Sequence, residues 1–352
     1  MEPETMTGRE RWEAVLRHEL PDRVPMDYWA TPEASARLVG YLGCRDLGEA
    51  LRRLHVDRPA LVGPRYVGAP LAAGTDIHGC RYRRVEYDGG AYSECVEHPL
   101  AQYETVDEIE AGYTWPSVDC YDYSRIPAEA AANADRPIRG GGSEPFMDYK
   151  SLRGQEQAFM DLVLHPEIVD YCLDRLFGFC YENTRRILEQ AGGRVLISYV
   201  AEDLGGQTAL MMSLDHIRRF LAPRMKRMID LVHEAGAYAF FHSDGAVVDA
   251  IPDMIEIGID VLNPIQWRCR GMDRAVLKSR FGRRLLLHGG VDNQQTLAFG
   301  SVQDVEAEVR HNIRVLGAGG GYVLAPCHNI QSVSPPENVV AMYETGYADG
   351  RY

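Results

Sequence analysis

The chain carries eight cysteines but no Cys-x-x-Cys pair; Cys44, Cys80, Cys95, Cys120, Cys172, Cys180, Cys269 and Cys327 are scattered. That excludes a zinc ribbon and a thioredoxin-like motif, and leaves most of them as plain thiols of a reducing compartment. No apolar run approaches the roughly 20 residues needed to span a bilayer. The segment Met1-Glu2-Pro3-Glu4-Thr5 is acidic and has no apolar core, so no secretory signal is expected and the expected location is the cytoplasm. Positive charge is also scarce: 37 Lys and Arg against 51 Asp and Glu give a net charge of -14. Nucleic acid and anionic membranes are therefore disfavoured as partners. A polyanionic substrate is disfavoured as well, unless basic residues converge locally. No Gly-x-Gly-x-x-Gly follows the first apolar run, and Gly140-Gly141-Gly142 lacks the lysine of a phosphate loop, so it is expected to form a tight turn.

What is present is a rhythm. Apolar runs at 137–140, 194–200, 237–241, 260–262, 284–287 and 321–325 each precede a segment of helical periodicity. Two earlier runs, 24–29 and 59–62, bring the strand count to eight, the number that closes a (β/α)8 TIM barrel. At 352 residues a single barrel domain spanning 1–352 is expected. Residues 63–127 break the rhythm with short tyrosine-rich and glycine-rich pieces, and Asp88-Gly89-Gly90 is a hairpin signal. This segment has too few large aliphatics for a core of its own. It is expected to be a β-rich insertion after the second strand, serving as a lid, a homodimer contact or a docking surface.

In such a barrel the residues just after each strand converge on one pocket. Here they are Glu202 and Asp203, His242 and Asp244, Asn263 and Gln266, His288 and Asp292, and Cys327, His328 and Asn329. His242, Asp244 and His328, with Cys327 or Glu202 in support, offer ligands for zinc or a similar divalent ion. Equally, Asp244 could fix the tautomer of a histidine acting as acid, base or hydrogen-bond donor with no metal. Glu202 and Asp203 are adjacent, so only one is expected to face the pocket. Asn263 and Gln266 fit neutral orienting groups, and His288 fits either ligand contact or structure.

The segments Glu202 to Gln207, Phe241-His242-Ser243-Asp244-Gly245, Ile251 to Pro264, His288-Gly289-Gly290-Val291-Asp292 and Ala325 to Gln331 resemble the uroporphyrinogen decarboxylase superfamily, especially its bacterial corrinoid-dependent methyltransferase-like branch. The resemblance independently implies the (β/α)8 barrel. In that branch a His-x-Cys pair and a late Cys bind the zinc that activates a thiol. Here His242 matches, Asp244 stands where a cysteine would be, and His328 takes the last position beside Cys327. The arginines and the aspartate by which true uroporphyrinogen decarboxylases hold their substrate are not visible at 26–32 and 61–65.

The expected activity is therefore transfer of a methyl group from a small methylated donor, such as an O-methyl ether, to the cobalt of a corrinoid on a partner protein. His242, Asp244, His328 and Cys327 are the metal candidates; Glu202, Asp203, His242 and Asp244 the catalytic ones; Gln207, Asn263, His288 and Asn329 the substrate-binding ones. The alternatives are a metal-free decarboxylase-like lyase and a barrel that only binds a tetrapyrrole or corrinoid.

Overall fold

Seven of the eight apolar runs become strands of one parallel sheet. The computed structural model describes residues 4–87 and 90–352. In chain order its strands are β1 (Ala60–Val62), β2 (Arg65–Tyr66), β3 (Arg81–Tyr87), β4 (Gly90–Glu97), β5 (Tyr121–Asp122), β6 (Ile138–Ser143), β7 (Ile197–Ala201), β8 (Tyr238–His242), β9 (Val261–Asn263), β10 (Leu286–Val291) and β11 (Tyr322–Pro326). The large sheet runs β1-β6-β7-β8-β9-β10-β11, and its strands are nearly continuous apolar runs because both faces are covered. In β8, for instance, Phe240 points inside the curl and Phe241 packs outward against the helices.

The sheet curls far enough for one segment to touch both its edges. Met26 forms a parallel bridge with Leu324 of β11, and Met26 O accepts from Asp57 N just ahead of β1. The full first strand expected over 24–29 is not there: pairing is reduced to bridges at Met26 and Ala30. Pro25 has no N–H to offer a ladder, and the Asp27 carboxylate turns the chain onto its own backbone by accepting from Tyr28 N at 2.7 Å.

Helix Gly8–Leu16, started by a Thr7/Glu10 capping box, plugs the inside of the curl with Trp12, Val15 and Leu16. It is tied down by Asp57, which accepts from Arg11 (2.6 Å), Arg23 (2.7 Å) and Met26 N (3.0 Å). Complete pairing of this kind is what offsets the cost of burying two guanidinium groups.

Between β1 and β6 lie two antiparallel pairs, β2 with β5 and β3 with β4, together with helix Val106–Gly112. Asp88 and Gly89 of the expected hairpin turn fall outside the described residues; the flanking Tyr87 and Gly90 are paired. The glycine run is not the expected turn. It lies inside β6, where the register against β7 slips between Arg139 and Gly142. Gly141 and Gly142 take φ of 70° and 132°, and a Cβ on Gly142 would run into the Tyr199 carbonyl. The run is thus a bulge that lets two backbones approach closely. Among the described residues no helix is long and apolar enough to cross a membrane.

Candidate functional site

The motif after β8 organises the rim. Ser243 Oγ accepts from Leu204 N at 2.9 Å, and Gly245, at φ 88°, donates to Gln266 Oε1 at 2.8 Å. A side chain at Gly245 would strike the Gly205 and Gly206 carbonyls. The loops after β7 and β8 are therefore laced together, which sets Asp203, His242 and Asp244 face to face. One ligand atom from each lies within 4.8 Å of the others. His242 Nε2 is 3.8 Å from Asp203 Oδ1, and His328 Nε2 is 3.6 Å from Asp244 Oδ2.

Behind His242 runs a relay of side chains. Asp27 Oδ2 sits 3.1 Å from His288 Nε2; His288 Nδ1 sits 2.7 Å from Asn263 Nδ2; Asn263 Oδ1 sits 2.6 Å from His242 Nδ1. Burial opposes ionisation of Asp27, yet hydrogen bonds from His288, Trp29 and Tyr28 N hold its carboxyl below the ordinary range. An ionised Asp27 accepts only, so His288 carries its proton on Nε2 and accepts from the Asn263 amide through Nδ1. The Asn263 carbonyl oxygen then accepts a hydrogen bond from His242 Nδ1–H. The lone pair of His242 is left on Nε2, aimed at the carboxylates.

Several carboxyls nearby are crowded and half-buried. Burial and the neighbouring Asp203 and Asp148 push Glu144 up to about 7, and burial with Asp76 pushes Asp148 to about 7. Burial also raises Asp244, against the pull of His242 and His328. Such groups hold protons in the folded chain that the unfolded chain has already lost. Stability should therefore fall as pH rises from about the ordinary values of 4.5 and 3.8 through 7. Urea midpoints at several pH values test this: Glu144→Gln is expected to flatten the decline, and an unchanged slope would count against it.

The structure sorts the candidate residues. Asp203 is the acidic neighbour that faces the cluster. Glu202 is 1% exposed, accepts from Phe146 N at 3.0 Å, and is raised well above its usual range by burial. Asn263 and His288 stand in the relay rather than lining either cavity. Cys327 is not brought to the cluster: its Sγ donates to Ile265 O at 3.2 Å, and burial pushes the thiol far up. Gln207, Gln266, Asp244 and His328 line an outer cavity of about 590 Å³, and Asn329 lines an inner one of about 300 Å³. Asp292 accepts from Gln294, Gln295 and Thr296 N, which makes it a loop cap.

Asp27, Trp29, Tyr199 and Glu144 are not marked as site residues by sequence alone. A lone carboxylate between Met26 and Tyr28 in an otherwise apolar segment was the available signal for the first. The ring of Trp29 stacks on His242 at 5.7 Å, and that of Tyr199 at 5.5 Å.

A curled parallel α/β sheet with an imidazole and carboxylate cluster beyond its strand ends defines a TIM-barrel-like protein of the enzyme type. The chain belongs to the uroporphyrinogen decarboxylase (URO-D) family, whose description matches residues 101–348. Among solved structures, a methyltransferase from Methanosarcina mazei shares 20% identity and a TM-score of 0.69, covering 97% of this chain and 99% of that one. An L-ribulose 3-epimerase shares 13% identity at a TM-score of 0.38, covering 68% and 84%. At 20% identity the likeness to the Methanosarcina protein is one of fold. No curated protein matches the chain.

Proposed function

We propose that this chain is a methyltransferase that moves a methyl group from a small methylated donor, such as an O-methyl ether, to the cobalt of a corrinoid carried by a partner protein. In that reading the sheet closes as a (β/α)8 cylinder, with 24–29 in the place of the remaining strand and 63–127 as a β-rich cover where the partner docks. The observation that carries the reading is the relay, which leaves His242 Nε2 as a lone pair facing Asp203 and Asp244.

The donor set fits a divalent cation such as zinc. Asp244 Oδ1 is buried without a hydrogen-bond partner among the described residues, and mixed nitrogen and oxygen ligands suit a hard or borderline ion. Asp203, His242 and Asp244 would hold it, with His328 beside them. Such an ion supplies polarisation of an ether oxygen. The protein's own residues do the rest. Asn263, His288 and Asp27 fix the His242 ring. When the carbon–oxygen bond breaks, its electron pair stays with oxygen and the methyl goes to cobalt(I). A proton held among the crowded carboxyls, for which Glu144 near 7 is suited, neutralises the departing oxygen.

The test is turnover of a panel of methylated donors with cob(I)alamin, followed by the absorbance change on cobalt methylation. Metal-dependent turnover is expected. Equal rates after exhaustive chelation would remove the metal from the assignment, and carbon dioxide release from uroporphyrinogen in place of cobalt methylation would turn it toward a metal-free lyase.

A further inference from the structure

The inner cavity has the opposite electrical character to the rim. It occupies the seam where β1 meets the 27–30 segment, and Asp27, Trp29, Arg58, Leu61, Arg139 and Tyr199 are among its walls. Leu61 faces this space and is 69% exposed although it sits in a strand of the main sheet. In a chain of net charge -14, two arginines line this one cavity. Among the described residues neither guanidinium has a hydrogen-bonding or ion-pair partner; the Arg139 group only lies over the Tyr199 ring at 5.4 Å. Asp27, the one acid in the wall, is already committed to His288, Trp29 and Tyr28 N. The cavity is thus a local concentration of positive charge with unused donors.

Its other wall is aromatic, with the Trp29 and Tyr199 rings inclined at 43° to each other. The Trp29 and Phe240 rings are stacked at 26°, and Tyr199 and Phe240 at 21°. Trp29 and Tyr199 are the same rings that stack on His242. A ligand seated against them would lie one ring away from the imidazole.

We infer that the substrate of this site is a small flat organic acid whose carboxylate is held by Arg139 and Arg58 and whose planar body packs against the aromatic wall of Trp29, Tyr199 and Phe240. The inference rests on the reading of the His242 cluster as the reacting centre, and it names the class of molecule presented to that centre. Guanidinium forks match carboxylates two bonds at a time, and a cavity of about 300 Å³ is the size for a small ligand. The acidic rim would repel such a carboxylate, so the molecule enters with its charged end toward the seam and its other end toward His242.

The test uses the full chain without added metal or corrinoid, titrated calorimetrically with benzoate, with its neutral isostere benzamide, and with cyclohexanecarboxylate. Benzoate is expected to bind one per chain, at least 10-fold tighter than benzamide and measurably tighter than the puckered acid. Arg139→Gln is expected to weaken benzoate at least 10-fold, with Arg139→Lys in between. Thermal melting checks the variants; should Arg139→Gln fail to fold, Arg58→Gln and the benzoate-to-benzamide ratio of the unaltered chain decide. No benzoate binding up to about 10 mM, where even a weak contact of about 3 kcal/mol would register, or equal affinity for benzamide, overturns the inference. Because nothing here requires methyl transfer, selective benzoate binding without turnover would overturn only the proposed reaction.

Discussion

Replacing His242 with alanine is expected to lower zinc affinity at least 100-fold and to abolish donor turnover while leaving the fold intact. His242 supplies the only imidazole nitrogen in the group of three ligand atoms. Its loss leaves two carboxylates that already resist sharing charge, since burial raises Asp244. Removal of an outer partner of a metal ligand costs about 10- to 100-fold, so loss of the ligand itself should reach or exceed the upper figure. Competition with a chromophoric chelator measures the affinity, and circular dichroism the fold. A variant that binds zinc as well as the parent would refute the assigned ligand set. Asp203→Asn is the matching control on the other side of the ring, 3.8 Å from Nε2.

The second large effect is expected at a residue outside the Asp203, His242 and Asp244 cluster. Asp27→Asn keeps the size of the side chain but can donate as well as accept, so His288 is no longer forced to carry its proton on Nε2. The Asn263 amide is then free to reverse, and His242 can be left protonated on the nitrogen that should be bare. Zinc affinity and turnover are expected to fall about 10- to 100-fold, the range typical of partners one shell out. A merely structural role would lower stability alone. The distinguishing readout is the nitrogen chemical shift of the His242 ring, which separates a protonated nitrogen from a lone pair. Unaltered shifts in Asp27→Asn would refute the relay. Benzoate binding should not weaken in this variant, because the substitution removes a negative charge from the inner cavity.

The strands and most helices were legible because both of their signals are local. Runs such as 237–241 and helices such as Arg274–Phe281 announce themselves by apolar period and by flanking glycine or proline. Two local readings failed for reasons that lie elsewhere in the chain. Gly140 to Gly142 has the composition of a turn, but the close passage of the Tyr199 backbone makes it a strand with a bulge. Val24 to Trp29 has the composition of a strand, but the Asp27 carboxylate is drawn into the relay and the pairing is reduced to bridges.

The cluster was partly legible, since strand ends converge in any barrel and His242 and Asp244 stand at one. Which neighbour joins them was not. Asp203 and Glu202 are equivalent in sequence, and only the Phe146 amide, which accommodates Glu202 away from the rim, separates them. Cys327 resembles a ligand by position, yet its thiol is turned onto Ile265 O. The inner cavity was illegible for a related reason: Arg58 and Arg139 are remote in sequence and line one cavity because β1 pairs with β6.

The relay also divides the chain in a way its family signature does not. The matched region begins at 101 and contains His242, Asn263 and His288, whereas Asp27 lies outside it. A chimaera that exchanged everything before residue 101 for the corresponding part of another family member would keep each ligand of the cluster in place. It would nonetheless inherit a foreign anchor for the far end of the chain of bonds. Grafted members of this family should therefore be joined with attention to that anchor, since the His242 ring is oriented from a segment far upstream in the polypeptide.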